Sequence, residues 1–265
     1  MFGCSMNEPA PTIRIAQVSD VHFGREHTAA LNALDDILRT HDLAAMIVAG
    51  DLTQHGRRHQ FRSAAQWLSR SPVPVFAVPG NHDVPQLNLP VRLAAPFRRY
   101  HKYIGGNQHF APDVLALGPE TIRGLNTARG TQLRRNWAEG SINMVALEAV
   151  LSASPAPTVF VCHHPLVSPS RTPWPTATTR GQRAMQRLAN STVEMVLSGH
   201  VHQPSVDLTE TNQGRYLAIT SGTLSSRLRE HPPSFNLLTL TSEQIMVEMM
   251  VFGDNGFRLM EQSQW

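Results

Sequence analysis

The chain has 265 residues, a formal charge of +3 and 41% hydrophobic residues, enough to bury the core of one large α/β domain and too apolar for a disordered chain. Its 23 basic residues, all arginine except Lys102, form no clustered run, so no nucleic-acid partner is expected and the arginine bias reads as genome composition. Two cysteines, Cys4 and Cys162, exclude a disulfide framework. The opening Met1–Pro11 lacks a leader pattern, and no apolar run is long enough to span a bilayer. The expectation is a cytoplasmic protein without a membrane span, with a flexible tail over 1–11 and a single domain over 12–265.

In chain order, a buried strand is predicted over 13–19. A helix over 28–38 follows, with Leu31, Leu34, Ile37 and Leu38 at helical spacing and Thr28 as N-cap. A strand over 44–49, a helix over 57–69 with Phe61, Ala64, Ala65 and Leu68 on one face, and a strand over 73–78 complete a β-α-β-α-β opening. From Pro85 to Gly106 the pattern loosens, and the segment reads equally as a lid or as a surface excursion carrying a short helix. Strands over 109–117 and 120–127 turn at Gly118-Pro119, and Ile142 to Leu151 reads as a helix capped by Ser141. A strand over 158–162, a Pro/Thr-rich loop over 169–179, a helix over 180–189 and a strand over 193–197 form another β-α-β unit. Four further runs, 205–209, 215–221, 235–240 and 244–251, are strand-like. Alternating elements followed by consecutive strands suggest two mixed sheets packed face to face with helices outside, a four-layer αββα sandwich of the α/β class.

Chemistry is concentrated where these strands end. The first delivers Asp20-Val21-His22, the second Gly50-Asp51, and the third Gly80-Asn81-His82-Asp83. Asp20, Asp51 and Asn81 are spaced by 31 and 30 residues. One strand, crossover helix and parallel strand occupy about 30 residues, so the three emerge on the same carboxyl edge, where open α/β sheets place their sites. Later strands deliver His163-His164-Pro165 and Gly199-His200-Val201-His202. Asp20, His22, Asp51, Asn81, His163, His200 and His202 offer oxygen and imidazole donors without a thiolate, a set suited to Mn, Fe, Zn or Co, and too many for one ion. Two cations sharing a carboxylate would activate water for phosphoryl transfer. Singly, each residue has an ordinary alternative as a helix cap, turn residue or core donor.

The ordered blocks Asp-Val-His, Gly-Asp, Gly-Asn-His-Asp, a histidine after an apolar strand, and Gly-His-Val-His, spanning 20 to 202, resemble the calcineurin-like metallophosphoesterases. That resemblance implies a dinuclear metal-dependent phosphohydrolase in which Asp20, His22 and His202 hold one divalent transition metal (Mn, Fe or Zn). Asn81, His163 and His200 would hold the other, and Asp51 would bridge both. A metal-bridging hydroxide would attack phosphorus. His82 would protonate the leaving group or stabilise the transition state, with Asp83 orienting its ring. The Asp-Val-His-Phe-Gly opening, the Gly-Asn-His-Asp block and Ser-Gly-Thr before arginine-rich sequence are closer to bacterial class III cyclic-nucleotide and glycerophosphodiester phosphodiesterases. A small phosphate-ester substrate follows, and a homodimer stays open. Other readings are a UDP-sugar-lipid pyrophosphohydrolase, with 85–106 covering an acyl chain, a broad phosphomonoesterase, and a non-catalytic binding scaffold of the same fold.

Other residues carry weaker signals. Arg227 and Arg229 suit a phosphate or a solvated loop, as do Asn126 and Arg129. Trp174 could stack on a base or anchor its loop. His164 reads as structural support and Cys162 as a small strand residue.

Overall fold

A computed structural model describes residues 12–86, 88–131, 136–172, 176 and 178–265. The tail expected over 1–11 and Trp174 lie outside them. The chain runs β1 (Ile13–Val18), α1 (Thr28–Thr40), β2 (Ala45–Ala49), α2 (Arg58–Leu68), β3 (Val75–Val78), α3 (Leu89–Ala94), α4 (Arg98–Tyr100) and a π-helical turn His101–Gly105. It continues with β4 (Leu115–Leu117), β5 (Glu120–Gly124), β6 (Gly140–Ser141), α5 (Met144–Leu151), β7 (Val159–Val161), β8 (Thr178–Thr179), α6 (Gly181–Ala189) and β9 (Met195–Ser198). It closes on β10 (Ser205–Thr211), β11 (Gly214–Thr220), β12 (Ser234–Leu240), β13 (Ile245–Gly253) and β14 (Gly256–Gln264).

Two mixed six-stranded sheets form, ordered β14-β13-β12-β1-β2-β3 and β10-β11-β9-β7-β5-β4, with β6 and β8 paired separately. Strand alternation sorts the apolar residues into three layers. Ala16 and Val18 of β1, with Met46 and Val48 of β2, pack under Leu31, Leu34, Phe61 and Leu68 of α1 and α2. Ile15, Ile47, Phe76 and Val78 meet Val159, Val161, Leu197 and Ile219 between the sheets. Phe160, Cys162 and Val196 face outward under Leu147 of α5 and Ala184 and Leu188 of α6. These are the four layers that the sequence predicts.

The sheets are also joined by a buried polar clasp. Gln17 Nε2 donates to Ser198 O at 3.1 Å and Ile219 O at 3.0 Å, and Asn236 Nδ2 donates to Gln17 Oε1 at 3.1 Å and Thr220 O at 3.1 Å. Unpaired, these groups would cost the core heavily; paired, they tie β1 and β12 to β9 and β11 in one relative position.

Three local expectations need correction. His27, not Thr28, caps α1, its Nδ1 accepting from Ala30 N at 3.2 Å. Asn143, not Ser141, caps α5 by accepting from Val145 N and Ala146 N. Ser141 is drawn into β6, pairing with Thr179 and donating its backbone N–H to Thr127 O. The strand-like runs end at residue 251, yet a further strand, β14, pairs with β13 across Gly253-Asp254-Asn255-Gly256, a hairpin turn signature.

Candidate active site

Parallel pairing sets the strand ends level: Val18 lies beside Val48, Ala49 beside Val78, and Val161 beside Leu197. The residues just past those ends therefore meet at one edge of both sheets. All seven residues expected as metal donors come together there.

Their backbone is unusual. Asp20, His22, Asp51, His200 and His202 have φ of 55°, 51°, 53°, 72° and 58°, and among the described residues Arg180 is the one other non-glycine residue at positive φ. Each such residue costs on the order of 1–3 kcal/mol, which persists only where the surroundings enforce it. Here Asp20 N donates to Gly50 O, His22 N to Asp51 O, and Thr223 Oγ1 to Asp20 O. Two glycines give the donors room. Gly50, at φ 90°, lies where a Cβ would strike the His163 ring, and a Cβ on Gly80 would strike Asp51 itself.

The donors form two groups around a shared carboxylate. In the first, His202 Nε2 lies 3.0 Å and His22 Nε2 3.5 Å from Asp20 Oδ1, with 3.2 Å between the two ring nitrogens. In the second, Asn81 Oδ1 lies 3.1 Å from His163 Nε2 and 3.0 Å from His200 Nδ1. Asp51 Oδ2 faces both, 3.7 Å from His22 Nε2 and 3.4 Å from His163 Nε2.

This set fits divalent cations on two observations. Asp20 Oδ1 is buried and receives no hydrogen bond among the described residues. His163 and His202 are anchored through Nδ1 on the carbonyls of Ala49 and Arg227, both at 2.8 Å, which turns Nε2 inward as in metal-ligating histidines. Electrostatics keep both carboxylates ionised. Burial would raise the Asp20 and Asp51 carboxyls, yet the rings of His202 and His163 override it and hold both well below the usual carboxylate range. Burial opposes charge on His163, but Asp51 prevails and lifts it to about 9, whereas burial and His163 lower His200 to about 3.

His82 stands beside these groups. Its Nδ1 lies 2.7 Å from Gln54 O, so this nitrogen carries the proton and Nε2 faces the cavity, 3.0 Å from Arg227 Nη1. Burial, with His22 and Arg227 nearby, lowers it to about 4. Asp83 does not orient this ring. The 3-10 turn Asn81–Asp83 folds its carboxylate back under the β2 loop, where it accepts from Gly80 N, Leu52 N, Thr53 N and Thr53 Oγ1. Asp83 braces the loop that carries Asp51, and Gln54 holds His82 instead. Burial and the Asp51 charge raise Asp83 to about 7.

His164 is fully engaged, bonded to Thr127 Oγ1 at 2.8 Å and Ala138 O at 2.9 Å. It fastens the segment after Asn136 to the site. Cys162 is fully buried and its thiol is pushed up to about 12 by that burial. Iodoacetamide should therefore leave Cys162 unmodified in the native protein and label it after unfolding, as read by peptide mass spectrometry; native labelling would contradict this packing.

A cavity of about 240 Å³ opens over the donors. Arg227 and Arg229 form one wall, and Asn136, Glu139, Thr176 and Thr178 the other. Thr176 and Thr178 belong to the Pro/Thr-rich stretch over 169–179, whereas Asn136 and Glu139, just before β6, had no sequence signal. Among the described residues, none of 88–106 lines the cavity. Arg129 is exposed and is not part of its lining, and Asn126 Oδ1 accepts from Ala128 N in a local turn.

Comparison with known proteins makes the chain a metal-dependent phosphoric ester hydrolase. The sequence model of the calcineurin-like phosphoesterases matches residues 13–204, and the chain belongs to that family. It is 27% identical over 236 residues to a probable cyclic nucleotide phosphodiesterase of Synechococcus sp., covering 84% of each chain. It is 25% identical over 260 residues to a probable glycerophosphodiester phosphodiesterase of Arcobacter nitrofigilis, covering 87% of this chain and 89% of that one. Among solved structures, a dimetal phosphatase from Danio rerio matches with TM-score 0.63 at 14% identity, over 97% of this chain and 99% of that one. A purple acid phosphatase from yellow lupin seeds matches with TM-score 0.64 at 13% identity, over 97% and 54%. Likeness at these identities concerns the fold. No described helix is long and apolar enough to cross a membrane.

Proposed function

We propose that the chain is a phosphodiesterase working with two divalent transition metals, Mn, Fe or Zn. Asp20, His22 and His202 would hold one and Asn81, His163 and His200 the other, with Asp51 shared. The observation that carries this reading is Asp51 Oδ2, a single buried oxygen facing an imidazole of each group. When bound, such a pair polarises the phosphoryl oxygen and lowers the pKa of water.

The chain's own groups do the rest. The Arg227 guanidinium, 3.0 Å from His82 Nε2 and 3.3 Å from His22 Nε2, is placed to take a non-bridging phosphoryl oxygen through its planar fork. His82 presents Nε2 to the leaving-group oxygen. An anionic substrate offsets the Arg227 charge that disfavours imidazolium, so binding favours uptake of a solvent proton by His82, which Nε2 then gives to the departing alkoxide. Asn136, Thr176 and Thr178 offer polar contacts to a hydroxyl-bearing leaving group such as ribose or glycerol. The names of the Synechococcus and Arcobacter relatives support a cyclic nucleotide or glycerophosphodiester as substrate.

The test is elemental analysis of the purified chain, with rates on cyclic nucleotides, glycerophosphodiesters and monoesters before and after chelation. About two transition-metal ions per chain, and diesterase activity lost to chelator and restored by Mn, are expected. Full activity in the chelated protein, or one ion at saturation, would overturn the reading.

A further inference from the structure

Residues 52–112 contain eight of the 23 basic residues and one of the 20 acidic residues, Asp83, which is buried. This stretch thus carries +7 of formal charge in a chain that totals +3. The sequence scatters these groups; the fold gathers them. Phe61 of α2 packs on Tyr100 and stacks on Tyr103 with ring centroids 6.1 Å apart, and Arg99 Nη1 donates to Gly56 O at 2.7 Å. The first turns of α2 therefore lie against residues 98–103. Arg57, Arg58, Arg62, Arg98 and Lys102 are exposed there, and none of the five forms an ion pair among the described residues. Like charges held together without partners repel one another, a condition that an anionic partner relieves.

Just upstream, α3 exposes Leu89 and Leu93, 53% and 64% accessible and one helical turn apart. Arg92 between them turns inward, its Nε 2.6 Å from Gly130 O and its guanidinium 4.9 Å from the Trp137 ring. That anchor fixes the helix with its leucines outward. Leu93 precedes Arg98 by five residues, so exposed apolar side chains and basic side chains without ion pairs follow one another along this stretch of chain.

We propose that this face, formed by the N-terminal turns of α2, residues 98–102 and the leucines of α3, docks on an anionic lipid surface. The leucines enter the boundary between headgroups and acyl chains, and the basic groups meet headgroup phosphates. A nucleic-acid strand would use the charges and leave both leucines in water; a lipid surface uses both. Hydrogen bonds link the loop before α2 to His82 through Gln86. His55 Nδ1 lies 2.7 Å from Gln86 Oε1, and Gln86 Nε2 lies 2.9 Å from His82 Nδ1. Docking would thus tether the loop linked to His82, whatever diester the cavity hydrolyses.

Cosedimentation of the full chain with vesicles tests this. At low salt the protein should pellet with phosphatidylcholine vesicles containing phosphatidylglycerol, stay in solution with phosphatidylcholine alone, and be released by high salt. Arg58→Glu with Arg62→Glu should weaken partition by at least about fivefold per position, and Leu89→Ser with Leu93→Ser by about tenfold. All four side chains lie outside the catalytic site, so hydrolysis of a soluble diester should stay at the wild-type rate, separating a failed dock from a failed active site. No pelleting with phosphatidylglycerol vesicles overturns the proposal, as does pelleting undiminished by the leucine pair. A single-stranded oligonucleotide bound equally by wild type and the leucine pair assigns the face to nucleic acid and overturns it too.

Discussion

Asp51→Asn should cost the chain both cations together, with a fall in affinity larger than the roughly 10–100-fold that follows loss of a supporting hydrogen bond. The substitution keeps an acceptor for His82 N, now 2.7 Å from Asp51 Oδ1, so the turn is spared while the shared charge disappears. Replacing Asp20, whose Oδ1 lies 3.0 Å from His202 Nε2 and 3.5 Å from His22 Nε2, should weaken the first group first. Elemental analysis of the two variants separates the cases. An Asp51→Asn protein that retains two ions per chain and full turnover would be incompatible with a shared carboxylate.

The second large effect concerns leaving groups. His82→Ala should slow hydrolysis of a cyclic nucleotide or glycerophosphodiester by on the order of 10²–10⁴ and barely slow a p-nitrophenyl diester, because p-nitrophenolate leaves without a proton. Metal content should hold, since the His82 ring is fixed by Gln54 and contributes to neither donor group in this assignment. Equal losses on both substrates would remove the proton from the mechanism and leave His82 a purely electrostatic role. Arg227 is distinguishable by the same pair, since a phosphoryl contact made before and during reaction affects both substrates alike.

The strand-end motifs were legible because parallel pairing converts even spacing in the chain into level placement in space. Asp20, Asp51 and Asn81 are the example. Three kinds of information were not. Caps depend on which neighbour is drawn elsewhere: Ser141 is lost to β6, so Asn143 takes the helix end. The direction of a side chain in a tight turn cannot be read from adjacency, and Asp83 folds away from the histidine that precedes it. Tertiary gathering of dispersed residues left no run to notice, as with Arg227 beside His82 and with the arginines of α2 against residues 98–102.

The left-handed backbone at Asp20, His22, Asp51, His200 and His202 bears on how such a chain can change. Glycine or asparagine would relax each of these positions, so selection for heat tolerance alone would steadily erode the donors. Engineered hardening of this scaffold should leave those five positions untouched and seek its gains in distant loops.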